Sequence, residues 1–424
     1  MFYVAVTYNI TEVICVKLYK RENYLKKIRG FYHSEDVIKV ITGVRRCGKS
    51  SLMQIIADEL RTSGIPEGNI IYLNLDKRGY RKIKTADQLD QLIADNSHVT
   101  GVKYLFIDEV QNVAEFEEVI NGFREEGEYS IFITGSNSYL LSGELATKLT
   151  GRYIEFELFT LNFQEYEDMK RFYQKSTDSN PLVELNHYIL EGGFPRTVLF
   201  DNILDKRIYV ENVVKEIFEK DIRKRVKIKN REVFEMVRQF VINNFGSTIS
   251  LNSLHAAMRK NGMQIGKATV SRYIKALVDA KILYECSRFD MKSKRSLNGE
   301  KKYYLSDLAF YYALNTDNRI NYGPVLENIV YIYSKSQGYI ISVGRIGKLE
   351  CDFILRDSEM NYSYVQVEYT IALSRETEER EYRSLESIKD NYPKYVMTTD
   401  FLIQKRNGIK HVNLIEFMKS GQMF

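Results

Sequence analysis

Residues 39–53, K-V-I-T-G-V-R-R-C-G-K-S-S-L-M, constrain the fold of this chain more than any other stretch. An apolar run leads into them and is typical of a buried strand, and apolar residues at helical spacing follow. Between the two, Gly43, Gly48, Lys49 and Ser50 fill every fixed position of the pattern G-x-x-x-x-G-K-[ST]. A strand, a glycine-rich loop and a helix in this order predict a phosphate-binding loop.

The loop can bind phosphate because its backbone N–H groups and the positive end of the following helix surround an anion. Glycine at both ends lets the backbone approach a ligand where a Cβ atom would clash. The lysine is expected to reach the β- and γ-phosphates, and the Ser50 hydroxyl to ligate Mg²⁺. The predicted nucleotide ligands are Gly43, Val44, Arg45, Arg46, Cys47, Gly48, Lys49, Ser50 and Ser51.

A second motif, Y-L-F-I-D-E-V-Q at residues 104–111, places two acids directly after an apolar strand. An aspartate in this position can hold Mg²⁺, and a glutamate after it can polarise the attacking water. We therefore predict that Asp108 binds the metal and that Glu109 activates water. The spacing of 59 residues from Lys49 leaves room for a helix, a strand and a helix between the motifs.

Two further candidates follow the next predicted strand, S-I-F-I-T-G-S-N-S at residues 130–138. Ser136 is the first candidate for a contact with the γ-phosphate, and Thr134 is the second. A plain turn at the strand end is the alternative. Arg152 stands near the end of the next predicted helix. It could face the nucleotide of a neighbouring subunit as an arginine finger, or could be a surface cation favoured by the helix dipole.

Strands that alternate with helices predict an α/β fold with a parallel sheet and its ligand at the carboxyl ends of the strands. The order of phosphate loop, acidic strand, polar-ended strand, helix, arginine and strand resembles the AAA+ class of P-loop ATPases. The helices that follow resemble the AAA+ lid. That resemblance makes Arg196, in the stretch E-G-G-F-P-R, a candidate second sensor of the phosphates, with an ordinary surface arginine as the alternative.

The middle of the chain is strongly basic. Residues 220–302 hold 20 Lys/Arg and 7 Asp/Glu, a net charge of +13 in a chain whose total is +5. Three predicted helices and a basic hairpin resemble a winged helix-turn-helix, whose third helix would enter a DNA major groove. Thr269, Arg272 and Lys275 are the candidate DNA contacts on that helix. Winged helices also pack against proteins, so a protein-binding module is the alternative.

The C-terminal part, predicted as helix, three strands, helix and strand, resembles the PD-(D/E)XK nuclease fold. Such nucleases need an aspartate and an acid-x-Lys pair around Mg²⁺. Here Glu327 and Asp352 are present, but Gln366 stands in the acid position and Glu368 in the lysine position. We expect a degenerate site that serves structure, with a weak metal site as the alternative.

The chain as a whole resembles prokaryotic AAA-type ATPases that join a P-loop domain to a C-terminal domain of unknown function called DUF4143. The motifs that carry the resemblance are G-V-R-R-C-G-K-S, L-F-I-D-E-V-Q, I-T-G-S-N-S, L-T-G-R, E-G-G-F-P and E-N…C-D-F. It implies ATP rather than GTP, and the guanine motif N-K-x-D is absent. The expected domains are residues 1–30 (extension and helix), 31–160 (ATPase core), 161–230 (helical lid), 231–305 (winged helix) and 306–424 (nuclease-like).

Composition narrows the class further. At 424 residues the chain is long enough for several domains. Its four cysteines are scattered without a C-x-x-C pair, which fits a reducing cytoplasm and gives no zinc site. No apolar run reaches the length of a membrane span, and the apolar residues 1–16 lack the basic start of a signal peptide.

Three functions are therefore predicted. The first is a Mg²⁺-dependent ATPase that acts as a nucleotide-driven switch on double-stranded DNA, with a homo-oligomer as one form it could take. The second is a nuclease gated by the ATPase, in DNA processing or defence. The third is a signalling scaffold whose C-terminal domains bind protein.

Overall fold

The structure is a computed structural model that describes residues 17–135, 149–224, 226–260, 265–293, 295–315 and 319–424, with only the backbone for residues 296–300. Residues 1–16, including the apolar start of the chain, lie outside this range. Of the helices in the described part of the chain, none combines the length and apolar character needed to cross a membrane.

The N-terminal part of the chain forms a parallel five-stranded sheet. The elements are α1 (Glu22–Arg29), β1 (Ile38–Thr42), α2 (Lys49–Thr62), β2 (Ile70–Asn74), α3 (Ala86–Asp95), β3 (Lys103–Asp108), α4 (Phe116–Glu125), β4 (Tyr129–Thr134) and β5 (Tyr153–Glu157). The central strands β1, β3 and β4 are buried along their whole length, which is why they read as nearly continuous apolar runs, whereas the edge strand β5 is half-buried. The order β2-β3-β4-β1-β5 places β4 between the strands that carry the two predicted motifs.

A group of helices follows the sheet: α5 (Phe163–Phe172), α6 (Pro181–Glu191) and α7 (Ile203–Glu216). Asn162 caps α5, and Asn180 and Asn202 cap the other two, as expected for asparagine before a helix. Helix α7 continues into a π-helical segment at Ile217–Ile222.

The rest of the chain builds one nine-stranded mixed sheet, whose strands are β6 (Thr248–Ser250), β7 (Leu283–Asp290), β8 (Arg295–Leu305), β9 (Ile340–Ile346), β10 (Leu349–Arg356), β11 (Tyr362–Val367), β12 (Lys394–Thr398), β13 (Lys405–Arg406) and β14 (Ile409–Asn413). Their order across the sheet is β13-β14-β12-β11-β10-β9-β7-β8-β6. The helices around it are α8 (Arg231–Asn243), α9 (Leu251–Lys260), α10 (Lys267–Asp279), α11 (Ala309–Leu314), α12 (Tyr322–Gln337), α13 (Arg375–Glu386) and α14 (Leu414–Lys419).

This sheet crosses the predicted boundary between residues 305 and 306. β7, from the predicted winged helix, pairs in parallel with β9, from the predicted nuclease-like part, with Arg288 opposite Val343. The two parts therefore share backbone hydrogen bonds. The division into domains stays a prediction, and the second sheet is continuous across it.

The ends of two elements have visible causes. α1 begins at Glu22 because the backbone of Arg21 is not helical, and the Arg21 guanidinium pairs with Glu165. β11 ends at Val367, and Thr370 beyond it donates its hydroxyl to Asp400. The predicted helix before Arg152 lies almost entirely outside the described residues.

Candidate functional site

The phosphate loop has the backbone that its glycines predict. Gly43 and Gly48 have φ angles of +139° and +108°. A Cβ atom on Gly43 would lie 2.1 Å from the Leu158 carbonyl oxygen, so only glycine fits there. Lys49 Nζ donates to the carbonyl oxygens of Gly43 and Val44 at 2.9 and 3.3 Å, which places the ammonium group inside the loop.

The carboxylate of Asp108 lies beneath the loop at the end of β3. One oxygen accepts a hydrogen bond of 2.8 Å from Asn74 Nδ2, and the other is buried with no hydrogen-bond partner in the part of the chain that the structure describes. Burial raises the pKa of Asp108 to about 6, against the nearby Ser50 hydroxyl, which lowers it. A buried carboxylate oxygen without a partner beside a hydroxyl fits a hard cation such as Mg²⁺.

A Mg²⁺ ion at Asp108 and Ser50 would need further ligands from water and from the substrate phosphates. Within the described ranges, no group of three or more His, Cys, Asp or Glu is placed to hold a metal ion. Mg²⁺ usually keeps several waters and is bound through one or two carboxylates plus substrate phosphates. Asp108 and Ser50 are the protein groups that would hold it here.

Glu109 follows the strand in a left-handed backbone conformation, with φ of +60° and ψ of +45°. Such a conformation is uncommon for a residue other than glycine, and it often marks a functional position. Glu109 lines the same cavity as the loop, and Gln111 donates a hydrogen bond to its carboxylate.

A cavity of about 310 Å³ joins these groups. It brings together seven predicted loop residues with both acids, and it adds four residues that the sequence did not predict. Val44 and Cys47 are instead buried in the core, so their contribution is limited to the backbone. The lining is Gly43, Arg45, Arg46, Gly48, Lys49, Ser50, Ser51, Asn74, Asp76, Asp108, Glu109, Asp221 and Ala280.

Two of the four additional residues carry a sequence signal. Asn74 ends β2 opposite Asp108, and Asp76 follows two residues later, where polar residues after a buried parallel strand point to the ligand edge. Asp221 and Ala280 come from distant segments of the chain, the π-helical segment and the end of α10. No local pattern could have assigned them to this cavity.

The structure describes one of the two candidate γ-phosphate sensors. Ser136 lies outside the described residues. Thr134 is buried at the end of β4, between β1 and β3, and its hydroxyl oxygen has no hydrogen-bond partner among the described residues. A buried hydroxyl without a partner, at the edge where the ligand is expected, keeps Thr134 as a candidate.

The two arginine candidates lie outside the cavity lining. Arg152 accepts a hydrogen bond from Ile38 N at the start of β1, the opposite edge of the sheet from the loop. A five-residue strand spans roughly 15 Å, so Arg152 does not reach the phosphates of its own chain. Its guanidinium lies 3.9 Å from Glu125. Arg196 is exposed, with its guanidinium 5.8 Å from the ring of Phe200.

A smaller, mostly apolar pocket adjoins the phosphate cavity, and both share Gly48 and Ser51. Arg21 helps to form it through a buried pair with Glu165, with 2.6 Å between Arg21 Nη2 and Glu165 Oε2. The other lining residues are Leu18, Tyr19, Leu52, Ile55, Leu161, Met169, Tyr173 and Pro195.

The three candidate DNA contacts lie on α10. Arg272 and Lys275 are exposed and Thr269 is half-buried, while Val270, Tyr273 and others on the opposite face are buried. Lys275 pairs with Asp279 one turn later, at 2.9 Å. The helix therefore presents the predicted face to solvent.

The four predicted nuclease-like residues divide into two groups. Glu327 and Asp352 share a buried cluster with a lysine, Lys302 of β8, whose Nζ lies 3.0 Å from Glu327 and 2.9 Å from Glu350. Burial raises the pKa of Glu327, and that of Asp352 well above its usual range. Burial alone would lower the pKa of Lys302, but Glu327, Asp352 and Glu350 raise it.

The other two residues contact α13. Gln366 Oε1 accepts a hydrogen bond from the Ser384 hydroxyl at 3.2 Å and another from Asp352 N at 3.4 Å, and Glu368 pairs with Arg380 at 2.8 Å. The sequence did not predict Lys302, which lies 50 residues before Asp352 and in no shared motif.

Comparison with known proteins supports an ATPase fold for the N-terminal part of the chain. A family described as "AAA domain" matches residues 35–167. The Walker-type ATPase of Pyrococcus abyssi aligns with 70% of this chain and 96% of its own, at 14% identity and a TM-score of 0.50, which supports the fold alone. A parallel sheet with this loop after β1 and an Asp-Glu pair at the end of β3 is that of a P-loop ATPase of the AAA type.

Two relatives extend along most of the chain. An uncharacterized protein of Haemophilus influenzae is 33% identical over 400 residues, which is 94% of this chain and 98% of the relative. Uncharacterized protein MJ1544 of Methanocaldococcus jannaschii is 30% identical over 365 residues, or 83% and 79%. The chain belongs to the same family as these two proteins. Residues 182–320 match a domain of unknown function, DUF8612, where the sequence had suggested DUF4143.

Proposed function

We propose that this nucleotide-binding ATPase hydrolyses ATP with Mg²⁺ in the cavity beneath the phosphate loop. The observation that carries the proposal is the convergence of Lys49, Ser50, Asp108 and Glu109 on one cavity. In this assignment Lys49 neutralises phosphate charge, Ser50 and Asp108 hold the metal, and Glu109 orients water. When bound, Mg²⁺ supplies charge stabilisation for the transferring phosphoryl group.

ATP is favoured over GTP by the family resemblance, and the adjoining apolar pocket agrees with a nucleotide that extends past Gly48. A triphosphate in the larger cavity would place its base toward Tyr19, Met169 and Tyr173, where aromatic and sulfur-containing side chains offer stacking contacts. The base would then be covered by α5 and by the segment before α1.

The test is ATP turnover by the wild type and by Glu109→Gln. The variant keeps the size of the side chain but cannot accept the proton of the attacking water, so turnover should fall about 100-fold or more while ATP binding persists. Glu126→Gln, an exposed glutamate after α4, is the matched control and should match the wild type. Equal turnover by wild type and Glu109→Gln would contradict the role given to Glu109.

We propose further that the ATPase acts on double-stranded DNA through α10. The basic balance of residues 220–302 and the exposed Arg272 and Lys275 support this. Each neutralised phosphate releases counterions, so affinity should fall steeply with salt.

Duplex binding by Arg272→Ala with Lys275→Ala tests this proposal. Loss of two phosphate contacts should weaken binding about tenfold and reduce the salt slope by up to about 2. Arg383→Ala with Lys389→Ala, an exposed pair of the same charges on and after α13, should bind as the wild type does. Binding that ignores salt, or that survives the α10 changes, would sink the proposal and favour a protein-binding scaffold.

We also propose that the carboxylate cluster around Lys302 serves structure and does not cleave DNA. Glu327 and Glu350 both contact the lysine ammonium group, so the charge a metal would supply is already provided by the chain. Arg152 lies too far from the phosphate cavity of its own chain to contact a nucleotide there. It would act as an arginine finger only toward a neighbouring copy of the chain.

A further inference from the structure

Two consecutive arginines of the phosphate loop are held by acids from α7 and its π-helical continuation. Arg45 Nε and Nη2 donate to the two carboxylate oxygens of Asp221 at 2.8 and 2.9 Å. Arg46 donates to Glu216 with the same two nitrogens, each at 3.1 Å. The side chains of Arg45 and Asp221 are 12% and 7% exposed, against 50% and 32% for the second pair. Since buried pairs are screened less by water and salt, the Arg45–Asp221 pair is the stronger contact.

Asp221 lies in a segment with an unusual backbone conformation. The π-helical segment Ile217–Ile222 is closed by a hydrogen bond from Arg223 N to Phe218 O at 2.8 Å. Single π-helical turns inside α-helices are frequent at functional sites, where they redirect a side chain that an α-helix would place elsewhere. Here Asp221 lines the phosphate cavity, whereas Glu219 of the same segment is exposed beside Arg223 and Arg231.

Asp221 and a bound triphosphate would compete for one guanidinium. Arg45 lines the same cavity as Lys49 and Ser50, so phosphate oxygens there are an alternative partner for it. The same phosphates carry negative charge and would repel the Asp221 carboxylate, whose side chain is 7% exposed and therefore weakly screened. The pair therefore has one stable arrangement without phosphate and a different one with it.

We propose that Asp221 is a positioning residue of the nucleotide site: it holds Arg45 until a triphosphate takes the guanidinium, and its release loosens the π-helical segment. The inference rests on the proposed nucleotide-binding function. Asp221 acts through Arg45 and contacts no reacting atom in this scheme.

A packed route leads from this segment to the predicted DNA-binding helix. The ring of Phe218 lies 5.3 Å from that of Phe234 on α8, and Phe234 lies 5.3 Å from Tyr273 on α10. The far end of α10 returns to the nucleotide cavity at Ala280. Movement of the π-helical segment would therefore shift α10, which carries the candidate DNA contacts and ends at the nucleotide cavity.

Hydrogen exchange with and without a non-hydrolysable ATP analogue and Mg²⁺ tests the inference. In the wild type the analogue should speed exchange of residues 217–223 about fivefold or more, because the segment loses its contact with the loop. Asp221→Asn, which keeps the shape and removes the charge, should exchange fast without nucleotide. It should also bind the analogue about three- to tenfold more tightly, because Arg45 is already released.

Glu219→Gln, an acid of the same segment that faces away from the cavity, is the matched control and should behave as the wild type. A damaged fold would weaken nucleotide binding, so tighter binding by Asp221→Asn separates positioning from stability. Exchange unchanged by the analogue in a wild type that binds it would overturn the inference and leave the proposed function standing. A wild type that binds no nucleotide would overturn both.

Discussion

At the scale of single residues, Lys39 shows how a buried charge is accommodated without an acid. It lies on β1, where its Nζ donates to Ser34 O, Val37 O and Ser130 Oγ at 2.6, 3.2 and 2.9 Å. Its ammonium also lies 4.6 Å from the centre of the Phe132 ring. Burial lowers the pKa of Lys39 to about 7, although Asp36 and Glu35 act in the opposite direction.

A pH-dependent stability follows for Lys39. Between pH 7 and about 10.5 the unfolded chain binds this proton more tightly than the folded chain, so raising the pH through that interval stabilises the fold. We expect the free energy of unfolding of the wild type to rise by about 2 kcal/mol between pH 7 and 9 relative to Lys39→Met. Urea denaturation at pH 7, 8 and 9 measures this.

Lys103→Met is the control for that measurement. Lys103 is also buried on a strand, but it pairs with Glu128, which raises its pKa. Its removal should leave the slope of stability against pH unchanged in this interval. Parallel slopes for wild type and Lys39→Met would contradict the assignment.

At the scale of elements, the E-G-G-F-P stretch joins the helices after the first sheet to the rest of the molecule. Gly193 N donates to Asp307 at 2.9 Å, and Gly193 O accepts from Leu161 N at 2.7 Å. Cβ atoms on Gly192 and Gly193 would lie 2.1 Å from Asp307 Oδ1 and 2.2 Å from Leu161 O. The two glycines therefore allow three chain segments to meet.

Gly193→Ala should lower the free energy of unfolding by about 3 kcal/mol, because the new methyl group meets backbone that cannot rotate away. Thermal unfolding followed by circular dichroism measures the loss. Gly122→Ala, in the middle of α4 with nothing within 4 Å of its Cβ position, should instead stabilise by about 0.5–1 kcal/mol. Similar melting temperatures for the two variants would rule out the crowding at Gly193.

At the scale of the whole molecule, the second sheet decides what the C-terminal carboxylates can do. Lys302 on β8 meets Glu350 on β10 because β8, β7, β9 and β10 follow one another in one sheet. It meets Glu327 because α12 packs against that sheet. Leaving such buried carboxylates unpaired would be costly, whereas a paired cluster is tolerated.

This arrangement predicts that supercoiled DNA stays intact with the wild type, Mg²⁺ or Mn²⁺, and ATP. Gel electrophoresis of the plasmid gives the result. Asp352→Ala and Lys302→Met should be equally inactive. Nicking by the wild type that disappears in Asp352→Ala would show a working nuclease and reject the structural role of the cluster.

The sequence by itself determined the phosphate loop, the acids after β3 and the parallel α/β core. Those features depend on neighbouring residues, whose strand, turn and helix geometry is local and leaves a fixed spacing in the chain. The polar residues after β2 also carried a local signal, since ligands gather at the carboxyl ends of parallel strands.

The tertiary structure alone decided which distant residues complete each site. Asp221 and Ala280 reach the nucleotide cavity, and Lys302 reaches the carboxylate cluster, from segments with no motif of their own. It also placed Arg152 at the wrong edge of the sheet to serve its own chain. Contacts of this kind depend on strand order and helix packing, which chain spacing does not encode.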